Sequence, residues 1–272
     1  MVVMEKNTKN KTQNRKQPRP RVLIFSGYGL NTEDETKAAF ESVGASAEIV
    51  HLNDAIAHPE MFKEAQIIVF SGGFAYGDHT GAGKAYGNRV REHLGAVLEE
   101  FLARNTLMIG ICNGFQVVTS AGFLPGALIP NETPRYLCRW VDVEVRGESP
   151  WLKGIRTFSV PIAHGEGKYY APEELLGKIK AEGAVALKYV EGEIAHHFDM
   201  MPNPNGSLEN IAGVTAYNGR VLGLMPHPER AVRFTQLPHW THVREQYVRE
   251  GKKLPTEGPG LQIFRNAVEY FS

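Results

Sequence analysis

The sequence has only two cysteines in 272 residues, no net charge, and no apolar run long enough to cross a bilayer. So few cysteines exclude the disulfide framework of a small secreted domain and indicate a reducing compartment. The balance of 30 basic and 30 acidic residues argues against a nucleic-acid surface. A membrane-spanning helix needs about 20 consecutive apolar residues. We therefore expect a cytoplasmic protein.

The charges are unevenly placed, because residues 1–20 carry six basic side chains and a single acid. This segment lacks an apolar core and is rich in Asn, Gln and Lys, which favours a disordered basic tail over an RNA-contacting arm or a transit peptide. Residues 21–272 show no break in composition and are predicted to form one domain. The tail charges are Lys6, Lys9, Lys11, Arg15, Lys16 and Arg19 against Glu5.

The first half of the chain alternates between short apolar runs and helical patterns. Strands are predicted over 21–25, 47–52, 66–70 and 107–111, and helices over 32–43 and 84–104. Thr32 and Glu35 fit a capping box, and Gly44 fits a helix end. This alternation predicts an α/β fold with a mostly parallel central sheet and helices on both faces.

The pattern changes after Pro125. Residues 141–145 alternate between apolar and polar, and 158–163 form another apolar run, which predicts antiparallel strands that extend the sheet. Asn218 and Gly219 join two further strands with the residues of a type I′ hairpin. Residues 235–260 are rich in Pro, Gly and charge and are expected to wrap the surface, before a terminal helix over 261–271.

Cys112 is the candidate nucleophile. It follows the apolar run 107–111, lies in Gly110-Ile111-Cys112-Asn113-Gly114, and precedes a helix-compatible segment. This places it on a sharp strand-to-helix turn, where the helix N-terminus favours a thiolate.

His227 and Glu229 supply a base and a group to orient it. Each follows a proline, and prolines favour extended geometry in the residue before them, so the two side chains are predicted to share one side of the backbone. Together with Cys112 they predict a Cys-His-Glu triad. Gly73 follows the strand 66–70, and its amide and that of Asn113 are candidates for an oxyanion hole.

Other motifs in the chain are weaker. Gly27-Tyr28-Gly29 lacks the third glycine of a dinucleotide loop, and Gly81-Ala82-Gly83-Lys84 lacks the first glycine of a P-loop. His196, His197 and Asp199 are interpreted as a solvated turn rather than a metal site. Cys138 is expected to pack within a strand.

Five segments of the chain form a recognisable set. They are Gly72-Gly73-Phe74-Ala75-Tyr76-Gly77-Asp78, Cys112-Asn113-Gly114-Phe115-Gln116, Pro161-Ile162-Ala163-His164-Gly165-Glu166-Gly167, Pro202-Asn203-Pro204-Asn205-Gly206-Ser207 and Met225-Pro226-His227-Pro228-Glu229-Arg230. Taken in order, they resemble the motifs of the class I glutamine amidotransferases, and within them those of the glutaminase subunits of phosphoribosylformylglycinamidine synthase. The resemblance covers residues 21–234, is expected to continue to the C-terminus, and implies the flavodoxin-like three-layer fold of that family. Ala75 stands where the family pattern has a serine, and the basic tail is also unusual.

The resemblance implies hydrolysis of glutamine to glutamate and ammonia, with Gly73, Phe74, Asn113 and Gln116 around the substrate. No cofactor or metal is expected in this chain. A large synthetase subunit would use ATP and Mg²⁺ to convert formylglycinamide ribonucleotide to the amidine, and a small bridging subunit is also expected. Two alternatives remain open from the residues: a stand-alone cysteine hydrolase and a catalytically silent regulatory module.

Overall fold

The computed structural model describes residues 19–77 and 81–272. Most of the predicted tail, and Asp78 of the glycine-rich segment, lie outside these residues. The division into a tail and a single domain therefore stays a prediction. None of the described helices is both long and apolar enough to span a membrane.

A nine-stranded mixed sheet forms the centre of the protein, in the order β2-β1-β3-β4-β11-β10-β9-β6-β7. The five strands from β2 to β11 are parallel, and the remaining four are antiparallel to their neighbours. A two-stranded sheet pairs β5 with β8. The strands are β1 (Arg21–Ser26), β2 (Ser46–His51), β3 (Ile67–Phe70), β4 (Leu107–Ile111), β5 (Ala127–Ile129), β6 (Leu137–Val145), β7 (Thr157–His164), β8 (Lys168–Tyr170), β9 (Val185–Val190), β10 (Ile211–Ala216) and β11 (Val221–Leu224).

Helices cover the sheet in two groups. α1 packs with α8, where Phe40 meets Phe264 edge-on at 4.9 Å between ring centroids, and α3 packs with α4. Burial on both faces explains why β3 and β4 are apolar throughout. The predicted α/β class is therefore confirmed. The helices are α1 (Glu33–Ser42), α2 (Leu52–Ala57), α3 (Lys84–Ala103), α4 (Asn113–Ser120), α5 (Glu173–Ala181), α6 (Glu193–His197), α7 (Trp240–Arg249) and α8 (Leu261–Glu269).

One strand pairing brings distant parts of the chain together. β4 and β11 are parallel neighbours, and Ile111 lies opposite Leu224. The residues that follow both strands therefore emerge side by side at the carboxyl edge of the sheet. The β10–β11 hairpin turns at Asn218 and Gly219, whose φ angles of +56° and +79° agree with the predicted type I′ turn.

One local prediction was wrong, and one surface segment contains a helix that was not predicted. Thr32 stands at the start of α1, but its hydroxyl makes no bond to the helix and instead accepts the Gly72 N–H at 2.8 Å, so the capping box is not formed. The segment 235–260 contains α7, which begins after Pro238 and ends before Gly251. The sequence did not predict α7, because none of the helix residues is buried and the helix therefore has no regular apolar face.

Candidate active site

Cys112 lies on the turn between β4 and α4. Its backbone has φ +51° and ψ −106°, a region that non-glycine residues rarely adopt. The Cys112 N–H donates to the Leu224 carbonyl of β11 at 2.8 Å, which holds the turn against the neighbouring strand. The turn therefore has the strained strand-to-helix geometry expected from the sequence.

Glycines on both sides of Cys112 make this turn possible. A Cβ atom on Gly114 would lie 1.8 Å from the Phe70 carbonyl oxygen, and one on Gly110 would lie 2.6 Å from the Gly114 oxygen. No side chain fits at either position, because α4 begins in direct contact with β3 and β4. The glycine pattern around the cysteine is thus a packing requirement of the turn.

His227 and Glu229 form a buried pair beside Cys112. His227 Nδ1 lies 2.5 Å from Glu229 Oε1, and the two residues are only 2% and 1% exposed. The backbone N–H of His227 donates to the Pro161 carbonyl of β7 at 2.8 Å. The predicted pairing is present, but the extended backbone that was expected to bring the two side chains together is not, because Pro228–Arg230 forms a 3₁₀ turn.

The environment of His227 favours its charged form. Burial disfavours the imidazolium, but the Glu229 carboxylate and the Cys112 sulfur raise the pKa of His227 to about 10. In this conformation Cys112 Sγ is directed to the Ala163 carbonyl at 3.5 Å. Among the described residues, His227 Nε2 has no hydrogen-bond partner. The arrangement holds a positive charge next to the sulfur and keeps Nε2 available for proton transfer.

A second buried histidine, His164, ends β7 and is 2% exposed. Asn131 Oδ1 lies 3.0 Å from His164 Nδ1 and accepts the Gly167 N–H, while Asn131 Nδ2 donates to the His164 carbonyl. The amide orientation is therefore set, and His164 Nδ1 must be the donor. Burial, and then the nearby His227, lower the pKa of His164 to about 3. His164 belongs to one of the five segments that carry the family resemblance, whereas no local pattern in the sequence marked Asn131.

The glycine turn after β3 reaches His227. A Cβ atom on Gly72 would lie 2.7 Å from His227 Cε1, so only a glycine allows this contact. Phe74 donates its N–H to the Gly29 carbonyl at 2.8 Å, and its side chain is 39% exposed, tilted against Tyr136. The structure thus brings the turn to the base, while the predicted oxyanion role of the Gly73 and Asn113 amides remains a prediction.

Asn113 and Gln116 belong to a buried hydrogen-bond network. Asn113 Oδ1 accepts the Ala75 N–H at 2.8 Å, and Asn113 Nδ2 donates to Gln116 Oε1 at 2.7 Å. Gln116 Nε2 donates in turn to the Glu166 carbonyl at 2.5 Å. Both ends of the Gln116 amide are therefore engaged within the protein, and contact with a bound substrate would exchange one of these bonds.

The remaining candidates lie elsewhere. His196 and His197 are exposed residues of α6 rather than parts of a turn, and Asp199 follows them. Within residues 19–77 and 81–272, no group of three or more His, Cys, Asp or Glu side chains is arranged to hold a metal ion. Cys138 does lie in β6, but it is exposed, so its expected packing was wrong.

Comparison with known proteins identifies the class to which this fold and site belong. The CobB/CobQ-like glutamine amidotransferase domain matches residues 19–271. The chain belongs to the glutamine amidotransferase family, as its motifs predicted.

Within that family the chain is similar to PurQ subunits of phosphoribosylformylglycinamidine synthase. The subunit from Methanococcus maripaludis strain S2 is 42% identical over 93% of this chain and 98% of the relative. That from Dehalococcoides mccartyi is 39% identical over 92% and 97%. The structure of PurLQS from Thermotoga maritima is 28% identical, with a TM-score of 0.70 over 94% of this chain and 100% of that chain. The predicted resemblance is confirmed.

Proposed function

We propose that this chain is the glutaminase subunit of a phosphoribosylformylglycinamidine synthase and acts through Cys112, His227 and Glu229. The observation that carries the proposal is the buried His227–Glu229 pair placed next to a cysteine on a strained strand-to-helix turn. Similarity to PurQ subunits over nearly the whole length of both chains supports the same assignment.

The reaction begins when the Cys112 thiolate attacks the side-chain carboxamide carbon of glutamine. The C–N bond then breaks, ammonia leaves with a proton from His227, and a γ-glutamyl thioester remains on Cys112. His227 next removes a proton from water, which attacks the thioester and releases glutamate. Glu229 orients the imidazole and stabilises its positive charge throughout.

Negative charge develops on the carboxamide oxygen during attack. We assign the amides of Gly73 and Asn113, which follow β3 and β4, as the donors to that oxygen. Removal of one such donor typically costs about 3 kcal/mol of transition-state stabilisation. Phe74 and Gln116 complete the substrate-binding set, with Gln116 releasing a bond to Asn113 or Glu166 when glutamine binds. Ala75 offers no hydroxyl there.

The ammonia requires a partner, because free ammonia in neutral water is largely protonated and no longer nucleophilic. A synthetase subunit would bind ATP, Mg²⁺ and formylglycinamide ribonucleotide, and would receive ammonia through an internal channel to form the amidine of de novo purine (IMP) biosynthesis. A relative of known structure belongs to PurLQS, which supports the presence of partner subunits. No cofactor is assigned to this chain.

Labelling of the nucleophile tests the proposal. The complex is exposed to a glutamine analogue that alkylates catalytic cysteines, and mass spectrometry locates the label. We expect it on Cys112, with exposed Cys138 as the internal control. Label on Cys138 alone, or none with partners present, would refute the assignment. Co-purification with a synthetase separates the proposal from a stand-alone hydrolase, and glutamate formation by the complex separates it from a silent module.

A further inference from the structure

Four polar and aromatic side chains meet where the loop that follows β1 contacts the loop that contains the glycine turn. Tyr28 donates its hydroxyl to Asn53 Oδ1 at 2.8 Å, and Arg89 Nη2 donates to the same oxygen at 3.0 Å. Arg89 Nη1 reaches the hydroxyls of Tyr28 and Tyr76 at 3.3 and 3.4 Å. The cluster therefore joins α2, α3 and the loops that follow β1 and β3.

The two tyrosines hold an unusual backbone conformation. Tyr28 has φ +57° and Tyr76 has φ +60°, in the left-handed region that side chains with a Cβ atom avoid. Their rings stack at 4.7 Å, and the Arg89 guanidinium lies 5.1 Å from the Tyr28 ring centroid. Two strained residues in contact persist only where their surroundings determine them fully, and such strain concentrates at functional sites.

The same two loops are joined along their backbones as far as the glycine turn. Tyr76 N–H donates to the Tyr28 carbonyl at 2.9 Å, and Phe74 N–H donates to the Gly29 carbonyl at 2.8 Å. Gly72 then accepts the Asn31 N–H at 2.9 Å. The pairing is too close for side chains, since a Cβ atom on Gly73 would lie 2.4 Å from the Gly29 oxygen. The position of the Gly73 amide is thus set by the loop that carries Tyr28.

We propose that Tyr28, Tyr76, Asn53 and Arg89 form a clamp that positions the Gly72-Gly73 turn so that the Gly73 amide can stabilise the oxyanion. The inference deepens the proposed function and rests on it. These are positioning residues, because they join the two loops that hold the turn and act through Gly73. Arg89 is the central member, since its two terminal nitrogens contact the other three side chains.

The clamp predicts a specific kinetic signature. The carboxamide oxygen is uncharged in bound glutamine and becomes negative only as the thiolate attacks, so a displaced Gly73 amide lowers kcat while glutamine binding is retained. Loss of an entire oxyanion donor costs about 10² to 10³ in kcat. A donor that is loosened but still present is expected to cost less, about tenfold.

The test replaces Arg89 by Met in the full chain, assembled with its synthetase and bridging subunits, and measures glutamate formation. We expect kcat to fall about tenfold with KM within about twofold of the wild type. Alkylation of Cys112 by iodoacetamide requires the thiolate but no oxyanion donor, and its rate should be unchanged. Arg91→Met is the matched control, because Arg91 lies on the same helix, is exposed, and contacts only Asn88 in the described hydrogen bonds.

Tyr28→Phe provides a second variant that keeps the ring stack and removes only the hydroxyl. It should lower kcat about threefold, since Arg89 retains Tyr76 and Asn53. Unchanged kcat in both variants would overturn the clamp, as would equal losses in kcat and in alkylation by iodoacetamide. Failure of the proposed function is distinct, because the wild-type complex would then form no glutamate at all.

Discussion

Two histidines next to the candidate nucleophile are equally buried and have opposite charge preferences. The pKa of His227 is raised to about 10, whereas that of His164 is lowered to about 3. Burial disfavours the charged form of both. The difference lies in the partner of Nδ1, which is the Glu229 carboxylate in one case and the neutral Asn131 amide in the other.

The comparison shows how one site keeps a positive charge on only one of two buried imidazoles. A carboxylate at 2.5 Å outweighs the cost of burying the His227 imidazolium. The neutral amide gives His164 no such compensation, and the charge on His227 disfavours a second cation nearby. His164 therefore stays neutral, with a buried Nε2 that has no hydrogen-bond partner among the described residues. Four substitutions test this division, in order of expected effect.

The largest effect is expected for His227→Asn, which removes the proton shuttle. Glutamine-dependent synthesis by the complex should fall roughly 10⁴-fold. Synthesis from added ammonia should be unchanged, because the synthetase active site is separate. The ratio of the two rates is the measurement, and an equal loss of both would show that His227 supports assembly rather than catalysis.

Glu229→Gln gives His227 a neutral partner like that of His164. Glutaminase activity should fall roughly 10²-fold, since the amide still accepts a bond but no longer stabilises the imidazolium. In the wild type, the stability gained from a raised pKa is present below pH 6.5 and is lost as the pH rises through about 10. The variant should lose its imidazolium at lower pH, as followed by NMR titration, and an unshifted titration would contradict the role of Glu229.

His164→Asn should make stability less sensitive to acid. Because the folded pKa of His164 is depressed, its contribution is complete above pH 6.5 and is lost as the pH falls toward 3. Between pH 6.5 and 4 this amounts to roughly 3 kcal/mol. Urea unfolding at both pH values measures the difference, which should shrink in the variant but not in His93→Gln, an exposed position on α3. An unchanged difference would mean that His164 is not the acid-sensitive group.

Asn131→Asp is the reverse exchange and has the smallest expected effect. A carboxylate at this position should raise the pKa of His164 by about one unit, because its negative charge favours the imidazolium. The rise is expected to be small, because the carboxylate cannot donate to the two carbonyls that Asn131 Nδ2 now binds. NMR titration of His164 checks the direction. A further decrease in its pKa would show that burial, and not the Nδ1 partner, controls this residue.

The candidate site was predictable where local sequence carries the physics. The turn that carries Cys112 has room only for glycine at the flanking positions, because α4 begins against β3, and these glycines are visible in the sequence next to the cysteine. The pairing of His227 with Glu229 was also expected, although a 3₁₀ turn rather than extended backbone brings them together. Asn131 was missed because its importance comes entirely from a loop that folds against β7.

The fold was likewise predictable where local sequence patterns reflect burial, and not where distant contacts decide. Apolar periodicity was sufficient for the buried strands and for α3, since burial on a defined face leaves a regular pattern. It failed for α7, which buries no residue. The capping motif failed at Thr32, because its hydroxyl accepts the Gly72 N–H from another loop.

The amino-acid sequence by itself determined the alternation of strands and helices in the first half of the chain and the turn that carries Cys112, because these depend on burial patterns and short-range sterics. Its motifs also determined the family to which the chain belongs. Only the tertiary structure decided that β4 and β11 are neighbours, which places the sulfur next to His227. It also decided the charge of each buried histidine and the contacts that hold the loop of Gly73 in position. Those properties depend on distances between residues that are remote in the chain, where electrostatic energy changes steeply with separation and with access to water.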